Sequence, residues 1–280
     1  MERNEEVKTI TVIDADSILY HVAWGVKDTT NEELGLAALG AYVYKILKDT
    51  DASHYIGFVQ TQSMNFRYQV YPDYKIKRPK SEEWFKFWKP IFLKNLYEQW
   101  GFINPTELNM ESDDCMQATF TMLSQIYDAD PKEEGAKSEI VMAYIDKDLN
   151  NIYSPTADAH VYYNYSTKNR GWFRVRKERS IYFFWKQMIM GDSADGLPGI
   201  FGKGKAYAEK MLLHNQDNPR AMFYTTYREY LKYYKLDGRK IFCQMRDCMT
   251  LKSEIDGFEY PEPIKVPNLD EKLKAELMSI

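Results

Sequence analysis

Thr9-Ile10-Thr11-Val12-Ile13-Asp14-Ala15-Asp16 is the stretch whose reading decides the fold. Five β-branched residues in a row make a strand, and the run stops at an acid, so Asp14 stands at the strand's carboxyl end. Residues 54–59 give a second strand that ends at Gln60, and 140–145 a third that ends at Asp146. Helical patterns separate them. Leu36, Leu39, Val43, Ile46 and Leu47 have helical spacing across 34–47, residues 83–100 are helical in period and unusually aromatic, and Glu111-Ser112-Asp113-Asp114 opens a helix to about Tyr127. Strands alternating with helices predict an α/β fold with a mainly parallel central sheet flanked by helices.

Further on the pattern changes. Residues 161–165 and 172–175 flank a polar stretch and read as a hairpin. From about Ile181 the chain reads as short helices broken by glycines, then as helices to about Lys252. A proline-rich stretch (Pro261, Pro263, Pro267) precedes a last charged helix. At 280 residues, one large domain or a core with an appended module is expected. No apolar run approaches the ~20 residues of a transmembrane helix, so no membrane association is expected. Charges occupy the N-terminus where a signal peptide would be apolar. The three cysteines (Cys115, Cys243, Cys248) are an odd number without a CxxC pair, which fits neither a disulfide framework nor a zinc ribbon. A reduced, cytoplasmic protein is expected.

The acids fall where α/β sheets build sites, at the carboxyl ends of strands. Asp14 and Asp16 follow the first strand, Asp146 and Asp148 the third, and Glu111, Asp113 and Asp114 open the helix between them. Asp192 and Asp195 form a further pair. Any one cluster has a plain explanation, as a turn residue or a complement to a helix dipole. Together, nine carboxylates would repel one another, and a hard divalent cation such as Mg²⁺ or Mn²⁺ resolves that repulsion. The pattern points to metal-assisted phosphoryl transfer or hydrolysis. The four histidines match no ligand spacing and no G-x-S-x-G elbow is present, which sets aside zinc and serine-nucleophile chemistry.

The bases are as unevenly placed as the acids, although the net charge is −4. Eight Lys and Arg against three acids occupy 67–94, interleaved with Tyr68, Tyr71, Tyr74, Trp84, Phe85, Phe87 and Trp88, a composition suited to single-stranded nucleic acid. A second basic region spans 168–210. Within it, Gly199-Ile200-Phe201-Gly202-Lys203-Gly204-Lys205-Ala206 imitates a P-loop but has Ala206 where Ser or Thr must hold Mg²⁺. It reads better as a hairpin between two short helices, with backbone N–H groups at the second helix start for a nucleic-acid phosphate and Lys203 and Lys205 adding charge.

Five motifs, in order, resemble the flap endonuclease family, in particular bacteriophage 5′→3′ exonucleases and the 5′-nuclease domain of bacterial DNA polymerases. They are residues 12–20, Tyr74-Lys75-Ile76-Lys77-Arg78-Pro79, Glu111-Ser112-Asp113-Asp114, Ile145-Asp146-Lys147-Asp148-Leu149, and residues 191–200. The resemblance covers about residues 9–214. It implies a Mg²⁺-dependent, structure-selective nuclease acting near 5′ ends of DNA or RNA primers, in phage replication or DNA degradation and in the host cytoplasm if phage-encoded. Asp14, Glu111, Asp113, Asp114 and Asp146 would serve a first metal, and Asp148, Asp192 and Asp195 a second. Lys75 and Arg78 would stabilise the transition-state phosphate, and Tyr74 would stack on the end nucleotide. Arg67 and Lys77, with Gly202, Lys203, Gly204 and Lys205, are expected to bind nucleic acid. Residues 1–188 would form the nuclease core, including a helical arch at about 66–100. Residues 189–280 would form a helical DNA-binding region whose helix–hairpin–helix, at about 189–214, can hold K⁺ in relatives. A monomer is expected.

This sequence departs from the family where relatives carry Asp after the second strand. Here stand Gln60 and Gln62, so altered metal affinity is expected. Asp16 occupies a position where many relatives have a small polar residue, and residues beyond about 214 match no known motif. The alternatives are a PIN-like ribonuclease and a non-catalytic DNA-structure-binding protein.

Overall fold

A computed structural model describes residues 9–60, 65–127, 139–154, 156–163 and 171–268. Its centre is a six-stranded sheet in the order β5-β4-β3-β1-β2-β6. Strand β1 (Thr9–Asp14) pairs in parallel with β2 (His54–Phe58) on one side and β3 (Glu139–Ala143) on the other. Strand β4 (Ala159–Tyr163) continues the parallel set, while β5 (Gly171–Val175) and β6 (Ile264–Lys265) close the edges antiparallel. The register sets Asp14 opposite Phe58 and Ile13 opposite Ala143. Asp14, Gln60 and Asp146 therefore leave the sheet along one edge.

Alternation along β1 feeds two cores, as the two-residue period of a strand requires. Ile10 and Val12 join Ile56, Ile140, Met142 and Val161 beneath α5 (Ser112–Ile126). Ile13 joins Tyr55, Val141 and Ala143 on the opposite face, under α1 (Asp16–Gly25), α2 (Glu32–Asp49) and α4 (Glu83–Glu98). A strand covered on both faces belongs in the middle of a parallel sheet. Helix α2 starts where Asn31 accepts the Leu34 N–H at 3.2 Å, with Glu32 and Glu33 in its first turn to suit the dipole.

Helix α4 was expected to belong to an open arch, yet its inner face is core. Trp88, fully buried, stacks on Phe92 and donates its indole N–H to the Val26 carbonyl at 3.2 Å. Opposite it lies Gly35 of α2, where a Cβ would come within 2.2 Å of the Trp88 ring. Gly35→Ala is therefore expected to destabilise the protein by about 1–3 kcal/mol through overpacking, although alanine is the better helix former. Urea denaturation checks this, and a gain in stability would mean that the α2–α4 contact is not as drawn.

Past α3 (Arg67–Val70), the remaining helices gather at the carboxyl edge of the sheet. They are α6 (Lys177–Met190), α7 (Lys205–Leu212), α8 (Pro219–Tyr234) and α9 (Gly238–Met249). They share a third core in which Phe242 meets the rings of Trp185, Phe223, Tyr227 and Tyr230, with Tyr74 inserted from the other half of the chain. Residue 188, the expected end of the nuclease core, lies inside α6. Two elements escaped the sequence reading. Helix α1 is a ten-residue helix that follows the first strand with only Ala15 between them and buries Ile18, Leu19, Val22 and Ala23, and β6 is two residues within the proline-rich stretch. The expected hairpin is present as β4 and β5, but its connection falls outside the described residues, as does the last charged helix.

Candidate active site

At the carboxyl ends of β1, β2 and β3 the sheet opens into a cleft of about 600 Å³ lined by Asp14, Asp16, Gln60, Lys75, Arg78, Glu111, Asp113 and Asp146. A narrower pocket shares Lys75, Arg78, Glu111, Asp113 and Asp146 with it and adds Asp192 and Asp195. Six of the eight expected metal ligands thus open on one space. Of the other two, Asp114 is turned into the protein, and the Asp148 side chain lies outside the described residues, as does Gln62.

Asp14 is buried, accepting the Asp16 N–H at 3.0 Å and the Ser17 hydroxyl at 2.9 Å. Burial, and next the charge of Asp16, push its pKa up to about 8. Asp113 is pushed well above the carboxylate range by burial, then by Asp146 and Asp14, and Asp16 is raised by burial against the hydrogen bonds it receives. An acid whose folded pKa is raised contributes stability below its unfolded pKa, and that contribution is lost as pH rises through the folded value. For Asp14 the window runs from 3.8 to about 8. In EDTA the protein is therefore expected to be more stable to urea at pH 5 than at pH 8.5, with a smaller difference in Asp14→Asn. Equal midpoints at the two pH values would contradict this electrostatic picture.

Glu111 and Asp114 start α5 as a reciprocal cap, with Asp114 accepting the Glu111 N–H at 3.2 Å. Asp114 is 0% exposed and is held by Arg67, itself 2% exposed, through two hydrogen bonds of 2.6 and 2.8 Å. Arg67 also donates to the Cys248 carbonyl at 2.7 Å and lies 3.4 Å from Glu111. Two expectations are corrected here. Arg67 cannot reach nucleic acid, because a guanidinium removed from water must spend its donors on internal partners. Asp114 likewise has its carboxylate engaged by Arg67 and by the Glu111 and Lys252 N–H groups, the last at 3.1 Å.

Tyr74 needs a third correction. Its ring is 1% exposed, so no base can stack on it as placed, and its hydroxyl lies 3.0 Å from both Glu111 Oε2 and Asp195 Oδ2. Burial, followed by the Glu111 charge, drives its pKa upward, so the phenol holds its proton for these two acids. Lys75 follows with a left-handed φ of 55°, uncommon for a residue with a side chain. Its N–H donates to the Asp195 carbonyl at 2.8 Å, and its ammonium pairs with Glu111 and lies 3.9 Å from Asp195. Arg78 reaches Asp195 at 2.7 Å while half exposed. Burial pushes Glu111 up, but Lys75 and Arg67 outweigh it and hold this acid below its usual value.

Asp192 stays buried in a closed loop. Its carboxylate accepts the Ala194 N–H at 2.8 Å and the Gln187 amide at 3.1 Å. The loop closes because Gly191 and Gly199, both at positive φ, pass so near that a Cβ on either would lie within 2.3–2.8 Å of backbone. Donor chemistry in the cleft suits a hard divalent cation, being all oxygen and clustered, with Asp14 and Asp113 raised in pKa by burial and then by neighbouring acids. Among the described residues no three such side chains already converge as a preformed cage. Lys75, Arg67 and Arg78 instead hold Glu111 and Asp195.

Beside the cleft, Lys77, Ser193, Gly202, Lys203 and Gly204 border a second hollow of about 550 Å³ along the glycine hairpin. Lys205 is exposed at the start of α7, and Lys203 lies 4.4 Å over the Tyr207 ring. The hairpin's shape depends on residues that the sequence did not mark. The Tyr234 hydroxyl donates to the Gly199 carbonyl at 2.7 Å and accepts the Phe201 N–H at 3.1 Å, while Tyr230 donates to the Met188 carbonyl at 2.6 Å. Both phenols come from α8, where residues 30–45 positions away are joined only by folding. Of the aromatics expected to stack on bases, Phe87 is exposed, whereas Trp88 and Tyr74 are core; Tyr20 and Trp24 of α1 are exposed but were not singled out.

No protein-family profile matches the chain, and no curated protein matches it in sequence. Solved structures do match. T5 5′-exonuclease with bound zinc aligns with a TM-score of 0.55 at 13% identity, over 87% of this chain and 99% of that one. The bacteriophage T5 flap endonuclease, in a pseudo-enzyme–product complex with DNA and metal ions, aligns at 0.53 and 12% identity, over 86% and 99%. At such identities the likeness establishes the fold, which is that of the 5′-nucleases the five motifs resemble.

Proposed function

From that fold, we propose that the protein is a divalent-metal-dependent, structure-selective 5′-nuclease hydrolysing phosphodiesters near the 5′ ends of DNA, of flaps or of RNA–DNA primer junctions. One observation carries the reading. Seven carboxylates line the cleft and its adjoining pocket with Lys75 and Arg78, beside a lysine-bearing glycine hairpin. Asp14, Asp113 and Asp146 would hold one Mg²⁺, with Mn²⁺ as a substitute, and Asp148, Asp192 and Asp195 a second. Such ions supply a water of lowered pKa and stabilise charge on the attacking and leaving oxygens.

The chain's own groups do the rest. Lys75 and Arg78 place two cations where charge on the reacting phosphate grows. Tyr74 keeps Glu111 and Asp195 in register across the cleft. The hairpin, stiffened by Tyr234, offers Gly202 and Gly204 for close backbone approach and Lys77, Lys203 and Lys205 for phosphates, contacts that position a duplex without reading its sequence. A K⁺ at the hairpin, action as a monomer, and a place in phage replication or DNA degradation in the host cytoplasm belong with this proposal.

The alternative of a non-catalytic structure-binding protein has one point in its favour, the neutralisation of Glu111 and Asp195 by protein cations. Labelled 5′-flap DNA, the same flap in RNA, and blunt duplex, each with Mg²⁺ or EDTA, separate the readings. Metal-dependent cutting at the flap junction is expected. Cutting of the RNA alone would favour a PIN-like ribonuclease, and binding without cutting in Mg²⁺ and Mn²⁺ would make the protein a structure-recognition module.

A further inference from the structure

Strands β1 and β3 deliver acids to the cleft, Asp14 and Asp146, whereas β2 delivers Gln60. The Gln60 side-chain amide is turned to the Met110 carbonyl, 3.1 Å away. Its backbone N–H instead donates to Asp16 Oδ1 at 2.8 Å. The other oxygen of Asp16 accepts the Ser112 hydroxyl at 3.0 Å, and the N–H of Asp16 donates to Asp14 at 3.0 Å. One carboxylate thus joins the ends of β1 and β2 to the start of α5, at the residue between Glu111 and Asp113.

We infer that Asp16 is a positioning residue for cation binding in this cleft, supplying from the start of α1 the negative charge that β2 does not provide. The inference rests on the cleft being a divalent-cation site. A carboxylate has about four lone-pair directions, and the Gln60 and Ser112 bonds use two, so Asp16 retains acceptor capacity toward the cleft that it lines. Its own charge stands beside Asp14, to which its N–H donates. A residue kept only as a brace would gain nothing from that charge, because a neutral amide could also accept a hydrogen bond.

The test is Mn²⁺ binding, by calorimetry and by loss of the free-ion paramagnetic resonance signal, with melting temperatures in EDTA. Four proteins are compared: wild type, Asp14→Asn, Asp16→Asn, and Asp16→Asn with Gln60→Asp. Asp16→Asn is expected to weaken Mn²⁺ binding about tenfold, the lower end for residues that support metal ligands. It should also raise the melting temperature in EDTA, since one of the repelling charges is gone. Adding Gln60→Asp should restore affinity by returning a carboxylate to the end of β2. If Asp14→Asn weakens binding and Asp16→Asn does not, the cation site stands and the role of Asp16 is overturned. Loss of both affinity and cation-free stability without rescue by Gln60→Asp would make Asp16 a structural brace, which also overturns it. If Asp14→Asn leaves affinity unchanged as well, the cation reading of the cleft fails first, and this inference with it.

Discussion

Arg67→Met is expected to lower the unfolding free energy by about 3–5 kcal/mol, the range for removing one partner of a buried ion pair. That is a large part of the ~5–15 kcal/mol that holds a typical domain together. Asp114 would be left at 0% exposure without its guanidinium partner, and the carbonyl of Cys248 would lose a donor. Lysine is not an adequate substitute, because a single ammonium cannot span both oxygens of Asp114 and the Cys248 carbonyl at once. Arg67→Met with Asp114→Leu should recover part of the loss, since the stranded carboxyl group disappears with its partner. Recovery stays incomplete because the N–H groups of Glu111 and Lys252 lose their acceptor. Urea denaturation of the two single variants and the double measures the coupling. A near-zero cost for Arg67→Met would place this arginine at the surface, as first expected from the sequence, and not inside.

Lys75→Ala is expected to slow the cleavage step by about 10²–10³-fold, the scale for removing one preorganised group that meets developing charge. Binding of the DNA should change far less, because the interaction is strongest in the transition state. Two features set Lys75 apart from an ordinary surface lysine. Its left-handed backbone is fixed by the Asp195 carbonyl, and its ammonium is nearly buried against Glu111. Single-turnover rates and separate binding titrations divide the effect between the two steps. Equal losses in both would mean that Lys75 only positions the substrate.

Much of this was legible before folding. The strand ends at Asp14 and Asp146 are marked by β-branched runs stopping at acids, and the order of the motifs gives the architecture. What stayed hidden is direction. Asp113 and Asp114 are neighbours in sequence, yet consecutive helix residues point about 100° apart at 3.6 residues per turn, so one faces the cleft and the other Arg67 in the core. Tyr74 sits in the same basic run as Lys75 and reads like a stacking aromatic, but its ring completes the third core. Arg67 opens that run and reads as a phosphate contact until α9 covers it. The support that Tyr230 and Tyr234 give to the end of α6 and to the hairpin joins residues too far apart for any local pattern to show.

The central claim is that the carboxylates at the sheet edge hydrolyse phosphodiesters, and it is tested most directly by cleavage of a 5′-labelled flap DNA in Mg²⁺ by wild type and by Asp113→Asn. Asp113 lines the cleft and the narrower pocket, lies under the charges of Asp146 and Asp14, and takes no part in the Arg67–Asp114 lock. The account predicts Mg²⁺-dependent release of short 5′ products by wild type, and at least a hundredfold slower release by a variant that still folds and binds the flap. Equal rates in the two proteins, or product formed equally well in EDTA, would contradict it.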